Sequence, residues 1–187
     1  MTLAFNDLVR YRVIQVWLVI VAITFFSPQT TSSRALMPTF EMLTRNATLI
    51  VVAQVENVIQ NGNVSIATAR VLDVWKGQST KSVQFRASRS WTCDASNAIP
   101  GEIVVLFLAA DAHTGVTAIA YSGMGRLPIN NVEGTPTVML YSSLFTKAMK
   151  QETRVPQETF SGNVTLALLK RHVQQVTAVI EEERGNE

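Results

Sequence analysis

The chain has 187 residues, 47% hydrophobic and 16% charged, with a formal net charge of +2. That composition excludes a disordered polymer, and the length suits one domain with a sizeable core plus an appendage. Removing residues 1–35 takes away Arg10, Arg12, Arg34 and Asp7 and leaves as many basic as acidic side chains. The remainder therefore lacks the basic excess of a phosphate-binding protein.

At the N-terminus, Arg10 and Arg12 precede an apolar run from Val13 to Phe26, broken only by Gln15 and Thr24. A small-residue site, Ser33-Arg34-Ala35, follows a polar stretch. A basic flank, a short apolar region and such a site read as a secretory signal, and the run falls short of the ~20 apolar residues of a membrane span. Two other readings of residues 1–35 stay open: an uncleaved anchor, and a buried helix of a cytosolic protein. The expected location is exported, periplasmic or extracellular, with membrane contact only through this segment if it is uncleaved.

Next, PTFEMLTRN (38–46) predicts a short helix opened by Pro38, with Phe40 and Leu43 on one side. TLIVVAQVENVIQ (48–60) is a β-branched run, continuous at first and then mixed. Asn61-Gly62-Asn63 is a turn signal, because Asn and Gly accept positive φ. VSIATARVLDVWKG returns as a second strand, with Ser65, Ala67, Ala69, Val71, Asp73 and Trp75 on one face and Val64 through Val74 in alternation on the other. Strands this long must bend around a barrel corner.

KSVQFRAS predicts a third strand, with Val83, Phe85 and Ala87 on its apolar face. EIVVLFLAA is apolar on both faces and therefore central, and VTAIAYS is a fifth strand. GMGRLPINNVEGTP reads as a loop and TVMLYSSLF as a sixth, edge strand. SGNVTLALLKRHVQQVTAVIEEE reads as a helix capped by Ser161 or Asn163. Its apolar stripe is Leu166, Leu169, His172, Val173, Val176 and Ile180, and the acids at its end oppose the helix dipole and predict fraying. The expected fold is mainly β: a five- to six-stranded OB-like antiparallel barrel over residues 36–142, with a short N-terminal helix, after the signal segment. Residues 143–187 supply a connection and the C-terminal helix.

Chemistry-bearing residues are sparse. Cys93 is the one cysteine, so no internal disulfide can form and the core alone holds the fold. As a nucleophile it would need a base; His113 and the adjacent Asp94 are the candidates, with no motif behind them. His113 lies in a predicted turn, and His172 is read as a packed residue rather than a ligand. The two histidines are far apart and no metal-ligand spacing exists, so no catalytic, cofactor or metal residue is expected. SGMGRLP lacks the lysine and following helix of a phosphate loop. Its small residues suit a close passage over the barrel, with Arg126 paired to an acid.

Arg70, Lys76, Lys81, Arg86 and Arg89 outnumber Asp73 on strands two and three, the region where OB barrels dock oligonucleotides. Trp75, Phe85 and Trp91 are the aromatics available for stacking, but the neutral charge balance argues against nucleic acid. Asn46, Asn63 and Asn163 open glycosylation triplets, to which no role is assigned.

Taken in order, LIVVAQV, ATARVLDVWKG, SVQFRAS, WTCD, PGEIVVLFL and AYSGMGRLPI resemble the OB-fold domains of the tissue-inhibitor-of-metalloproteinase and netrin-module type, in their bacterial secreted versions. The resemblance covers roughly residues 38 to 130. It implies an OB barrel in an exported protein, with Cys93 a bridge partner left alone where related domains pair it with a strand cysteine near Ala120 and Tyr121. The animal inhibitors chelate a protease zinc through an N-terminal cysteine, and no cysteine lies near Leu36 here. Fold resemblance leaves function to the site. The expected function is a non-enzymatic binding module whose barrel loops, around Trp91, Asp94 and Arg126, contact a protein partner or an envelope polymer. The alternatives are a membrane-tethered accessory domain, a protease inhibitor lacking cysteine chelation, and a hydrolase using Cys93.

Overall fold

Thr39 starts the first helix: its Oγ1 accepts a hydrogen bond from the Met42 amide at 3.2 Å and caps α1 (Phe40–Asn46). The computed structural model describes residues 37–88, 96–110, 117–153 and 161–186. The strands are β1 (Leu49–Asn61), β2 (Val64–Lys76), β3 (Ser82–Arg86), β4 (Ile103–Ala110), β5 (Thr117–Ile119), β6 (Arg126–Val132), β7 (Thr135–Tyr141) and β8 (Ser161–Thr165). A 3₁₀ turn (Ser142–Leu144), α2 (Lys147–Thr153) and α3 (Leu166–Gly185) complete the described elements.

Strands run in the order β1-β2-β3-β5-β4, and β4 pairs back onto β1, closing a five-stranded barrel. Closure is of the OB kind. One pairing departs from the antiparallel expectation: β3 meets β5 in parallel, through Arg86 and Ala118. The β1–β2 hairpin bends as its length requires. Its register slips between Ile50 and Val51, Val52 and Ala53, and Val55 and Asn57, and such bulges coil a strand around a barrel corner. The slip at Leu72 also resets the alternation of β2. Ala67, Ala69 and Val71 face the lumen, but Val74 rejoins them and Trp75 turns outward. A uniform two-residue period had put Val74 on the other side.

Two apolar cores share the wall. The lumen is filled by Val51, Ala53, Val104, Leu106, Leu108 and Phe85, with Phe85 directly across from the small Ala67. The outer core packs Ile50, Val52, Trp75, Val105 and Phe107 against α1, β7 and α3. That is why EIVVLFLAA reads as apolar throughout. Val104, Leu106 and Leu108 point inward, while Val105 and Phe107 point outward, and all five are fully buried. Residues on both sides of position 142 build this outer core, among them Leu140, Leu144, Leu169 and Val173.

Three sequence expectations are corrected. The predicted loop GMGRLPINNVEGTP contains β6, which pairs with β4 and forms a hairpin with β7. Its turn is Glu133-Gly134, both at positive φ (51° and 82°), a geometry the eye expects from Asn-Gly. The second correction follows: β7 lies between β6 and β8 and is not an edge. Third, the predicted helix from Ser161 begins five residues later. Residues 161–165 pair with β7, and Thr165 is the cap, its Oγ1 accepting from the Leu168 amide at 3.3 Å. The β-branched Val164 and Thr165 favour the strand there, and the ladder with β7 holds it. At the far end of α3, Glu183 is held by Arg45 at 2.6 Å, where fraying was expected. The Arg45 hydrogen bond and charge lower the Glu183 pKa.

Gly77 ends β2 at φ +91°, and a Cβ there would lie 2.6 Å from the Thr48 carbonyl oxygen. Gly77→Ala is expected to cost about 2–3 kcal/mol, combining backbone strain with the clash. Gly62, at φ +59° with open space around it, should cost only about 1 kcal/mol when changed to Ala. Urea denaturation of the two variants separates the terms, and equal losses would show that the Thr48 contact is unimportant.

Candidate functional site

Trp91, Cys93 and Asp94 fall in residues 89–95, and His113 in 111–116, all outside the described residues. Both flanks of 89–95 are described, and each is fastened to the long hairpin. On one side the Ala87 amide donates to the Ser65 carbonyl at 2.8 Å. On the other, the Val55 amide donates to the Glu102 carbonyl at 2.9 Å, and the Gly101 amide to the Val55 carbonyl at 2.7 Å. Ser88 and Ser96, beside the loop, are buried, and Ser88 Oγ accepts from Arg86 Nε at 3.1 Å. The described flanks of 89–95 are thus tied to the long hairpin, at Ser65 beside its turn on one side and at Val55 on the other.

Arg126 is the one predicted contact within the described residues, and it is engaged. Its Nε donates to Glu102 Oε1 at 3.1 Å and its Nη2 bonds Glu102 Oε2, a bidentate pair. Glu102 Oε1 also accepts from the Ile99 amide at 2.9 Å. The two side chains are only 13% and 12% exposed. Arg126 stands across from Leu106 in the β4–β6 ladder, which places its side chain on the lumen side. The expected acid partner is therefore Glu102, and the pair ties β6 to the second foot of the loop.

The segment feeding Arg126 is strained. Tyr121 and Ser122 both have φ of 51° and Gly123 has 89°, and non-glycine residues pay for that conformation. Gly125 then crosses Phe107 so closely that a Cβ would sit 2.9 Å from the Phe107 Cβ. Phe107 donates its amide to the Gly125 carbonyl at 2.8 Å and accepts from the Ala120 amide at 2.9 Å. Residues 121–124 are an excursion from an otherwise continuous strand, anchored where the Tyr121 hydroxyl accepts from Asn46 Nδ2. The small residues of SGMGRLP serve the close passage expected of them.

Exposed aliphatics occur on the hairpin and after residues 89–95, which sequence reasoning missed. Ile59 on the hairpin is 64% exposed and Ile99 at the loop foot 60%, with Val64 and Ile103 also exposed. No charged side chain occurs from Asn57 to Ala69. That charge-free stretch around the Asn-Gly turn was the available signal, and so was Ile99 directly before Pro100-Gly101.

Of the basic residues of strands two and three, Arg70 and Lys76 of β2 are engaged. Arg70 Nη2 donates to Gln54 Oε1 at 2.7 Å, and Arg70 Nε lies 3.6 Å from Glu56. Trp75 and Phe85 are buried, one in each core. Lys76 Nζ donates to the carbonyls of Thr44 (2.7 Å), Arg45 (3.3 Å) and Ala47 (2.6 Å), closing the end of α1. Burial, then the charges of Arg184 and Arg45, lower its pKa. Asp73 Oδ2 accepts from Trp75 Nε1 at 2.8 Å and Lys170 Nζ at 2.7 Å. Burial raises the Asp73 pKa, but those hydrogen bonds outweigh it and the net direction is down. The stretch VLDVWKG is thus occupied in fastening β2 to both α1 and α3.

His172 is buried on the apolar stripe of α3, as its spacing suggested. No three His, Cys, Asp or Glu side chains gather among the described residues. No described helix is long and apolar enough to cross a membrane. No protein-family model matches the chain, and no curated protein matches it either.

Proposed function

We propose that this protein is an exported, non-enzymatic binding module of the tissue-inhibitor-of-metalloproteinase and netrin-module type. It docks a protein partner through the hairpin tip together with residues 89–95. The observation that carries this reading is the set of exposed aliphatics Ile59 and Val64 at the hairpin and Ile99 and Ile103 after residues 89–95. Exposed aliphatics beside uncharged polar backbone suit a protein surface better than a polymer rich in hydroxyls or charge. Trp91 and Asp94 fall within residues 89–95, and Arg126 braces the flank that follows them through Glu102. The N-terminal apolar run supports export, and the strand order supports the family reading.

The test is a pull-down from an envelope fraction using the tagged full-length protein beside an Ile59→Lys/Ile99→Lys variant. Wild type should retain a saturable partner that the variant binds at least tenfold more weakly, the scale of one interface anchor. Equal capture by both proteins would remove Ile59 and Ile99 from the site.

A further inference from the structure

α2 is lightly seated. Met149 is its one buried residue, and the Thr146 cap (Met149 amide to Thr146 Oγ1, 3.0 Å) is local. It reaches α3 through Glu152, whose Oε2 lies 3.0 Å from Arg171 Nη2 and whose Oε1 lies 3.6 Å from His172 Nε2. The second distance is too long for a hydrogen bond. His172 Nε2 is accordingly buried without a partner. The other such side-chain atom among the described residues is Ser143 Oγ, in the turn leading to α2. Buried unpaired polar atoms are costly, and both occur beside this short helix.

We propose that the seam between α2 and α3 is an acid-sensitive latch: α2 lies closed while the His172 imidazole is neutral, and protonation shifts it to a lifted state in which the imidazolium is hydrated. Charged groups reach His172 from two sides, Glu152 on α2 and Arg171 on α3 itself. Elsewhere on α2 stand Lys147 and Lys150. α3 also packs on α1, β2, β7 and β8. Of the ionisable groups there, Asp73 is bonded to Lys170, Lys76 to the α1 carbonyls, Arg70 to Gln54 beside Glu56, and Arg45 to Glu41 and Glu183. β7 contributes Tyr141 and β8 none.

Burial pushes the His172 pKa down, Glu152 opposes that and Arg171 adds to it, and the net direction is below the ordinary 6.5. The closed state is therefore fully favoured above pH 6.5. Below it, the lifted state binds a proton that the closed state lacks, and closure weakens as pH falls toward the depressed value. Lifting withdraws Met149 from the outer core and bares its apolar seat.

Hydrogen exchange of the full chain at pH 7.5 and 5.5, corrected for intrinsic rates, reads the latch. α2 amides should lose protection several-fold, bounded by about tenfold per pH unit below 6.5, while β4 amides keep theirs. His172→Phe should abolish the pH effect. The latch is overturned if α2 protection does not change with pH, if β4 loses protection in step with α2, or if His172→Phe shows the same loss as wild type. Should His172→Phe fail to fold, an NMR titration decides, and with two histidines in the chain, His113→Gln assigns the resonance. A pKa below 6.5 supports the latch, and one at or above 6.5 overturns it.

Discussion

Arg126→Met is expected to destabilise the domain by about 3–5 kcal/mol, because it leaves the Glu102 carboxylate buried without its counter-charge. Both side chains are nearly nine-tenths buried, so solvent cannot replace the guanidinium, and the Ile99 amide remains as the partner of Oε1. Arg126→Met/Glu102→Leu should recover most of the loss, since an apolar pair of similar volume avoids desolvating two charges. Urea denaturation of the single and double variants measures this. A single-variant loss under about 0.5 kcal/mol, the scale of a surface pair, would show that the bridge does not hold the loop foot. The same pair of variants separates the two roles of Arg126. Capture of the partner that returns with stability in the double variant marks Arg126 as scaffold, whereas capture still lost in a stable double variant marks it as a contact.

Phe107→Ala is the second large effect. Phe107 is fully buried, meets Phe40 edge-on with centroids 6.2 Å apart and rings at 79°, and carries Gly125 against its Cβ. Truncation removes a large apolar group and leaves a cavity that three rigid neighbours, β4, the Gly125 crossing and α1, cannot close. A cost of about 3–5 kcal/mol follows, or roughly 10 °C in Tm for a domain of this size. α1 should lose exchange protection first, since Phe40 packs it directly on Phe107. A loss below about 1 kcal/mol, measured by thermal and urea unfolding, would mean that the outer core relaxes around the void.

What the chain discloses unaided depends on how local the cause is. The first four barrel strands are legible because alternation, the Asn-Gly turn and the two-sided apolar run each act within a few residues. The bulge at Leu72 is not, since which residue is skipped depends on curvature imposed by β4 on the far side of β1. β6 was hidden by Pro128 and two asparagines in an exposed strand, and β8 by a helix pattern starting immediately after it. α2 carries a single buried side chain, so it has no stripe to detect. At the site, the need of Arg126 for an acid could be foreseen, but the identity of Glu102, 24 positions away, required the β4–β6 register. Lys76 was grouped with surface cations because the carbonyls it caps belong to a helix some thirty residues earlier.

The doubly greasy wall has a consequence for how this module can travel. Ile50, Val52, Val105 and Phe107 are covered by residues near both chain ends of the domain, Phe40 and Leu43 before the barrel and Leu169 and Val173 well after it. The cylinder is therefore not a portable cassette. A gene fusion that spliced in the barrel strands without α3 would display a bare hydrocarbon flank and precipitate or recruit a surrogate cover. Inserts at Gly62, in open space at the far tip of the hairpin, would leave that cladding intact.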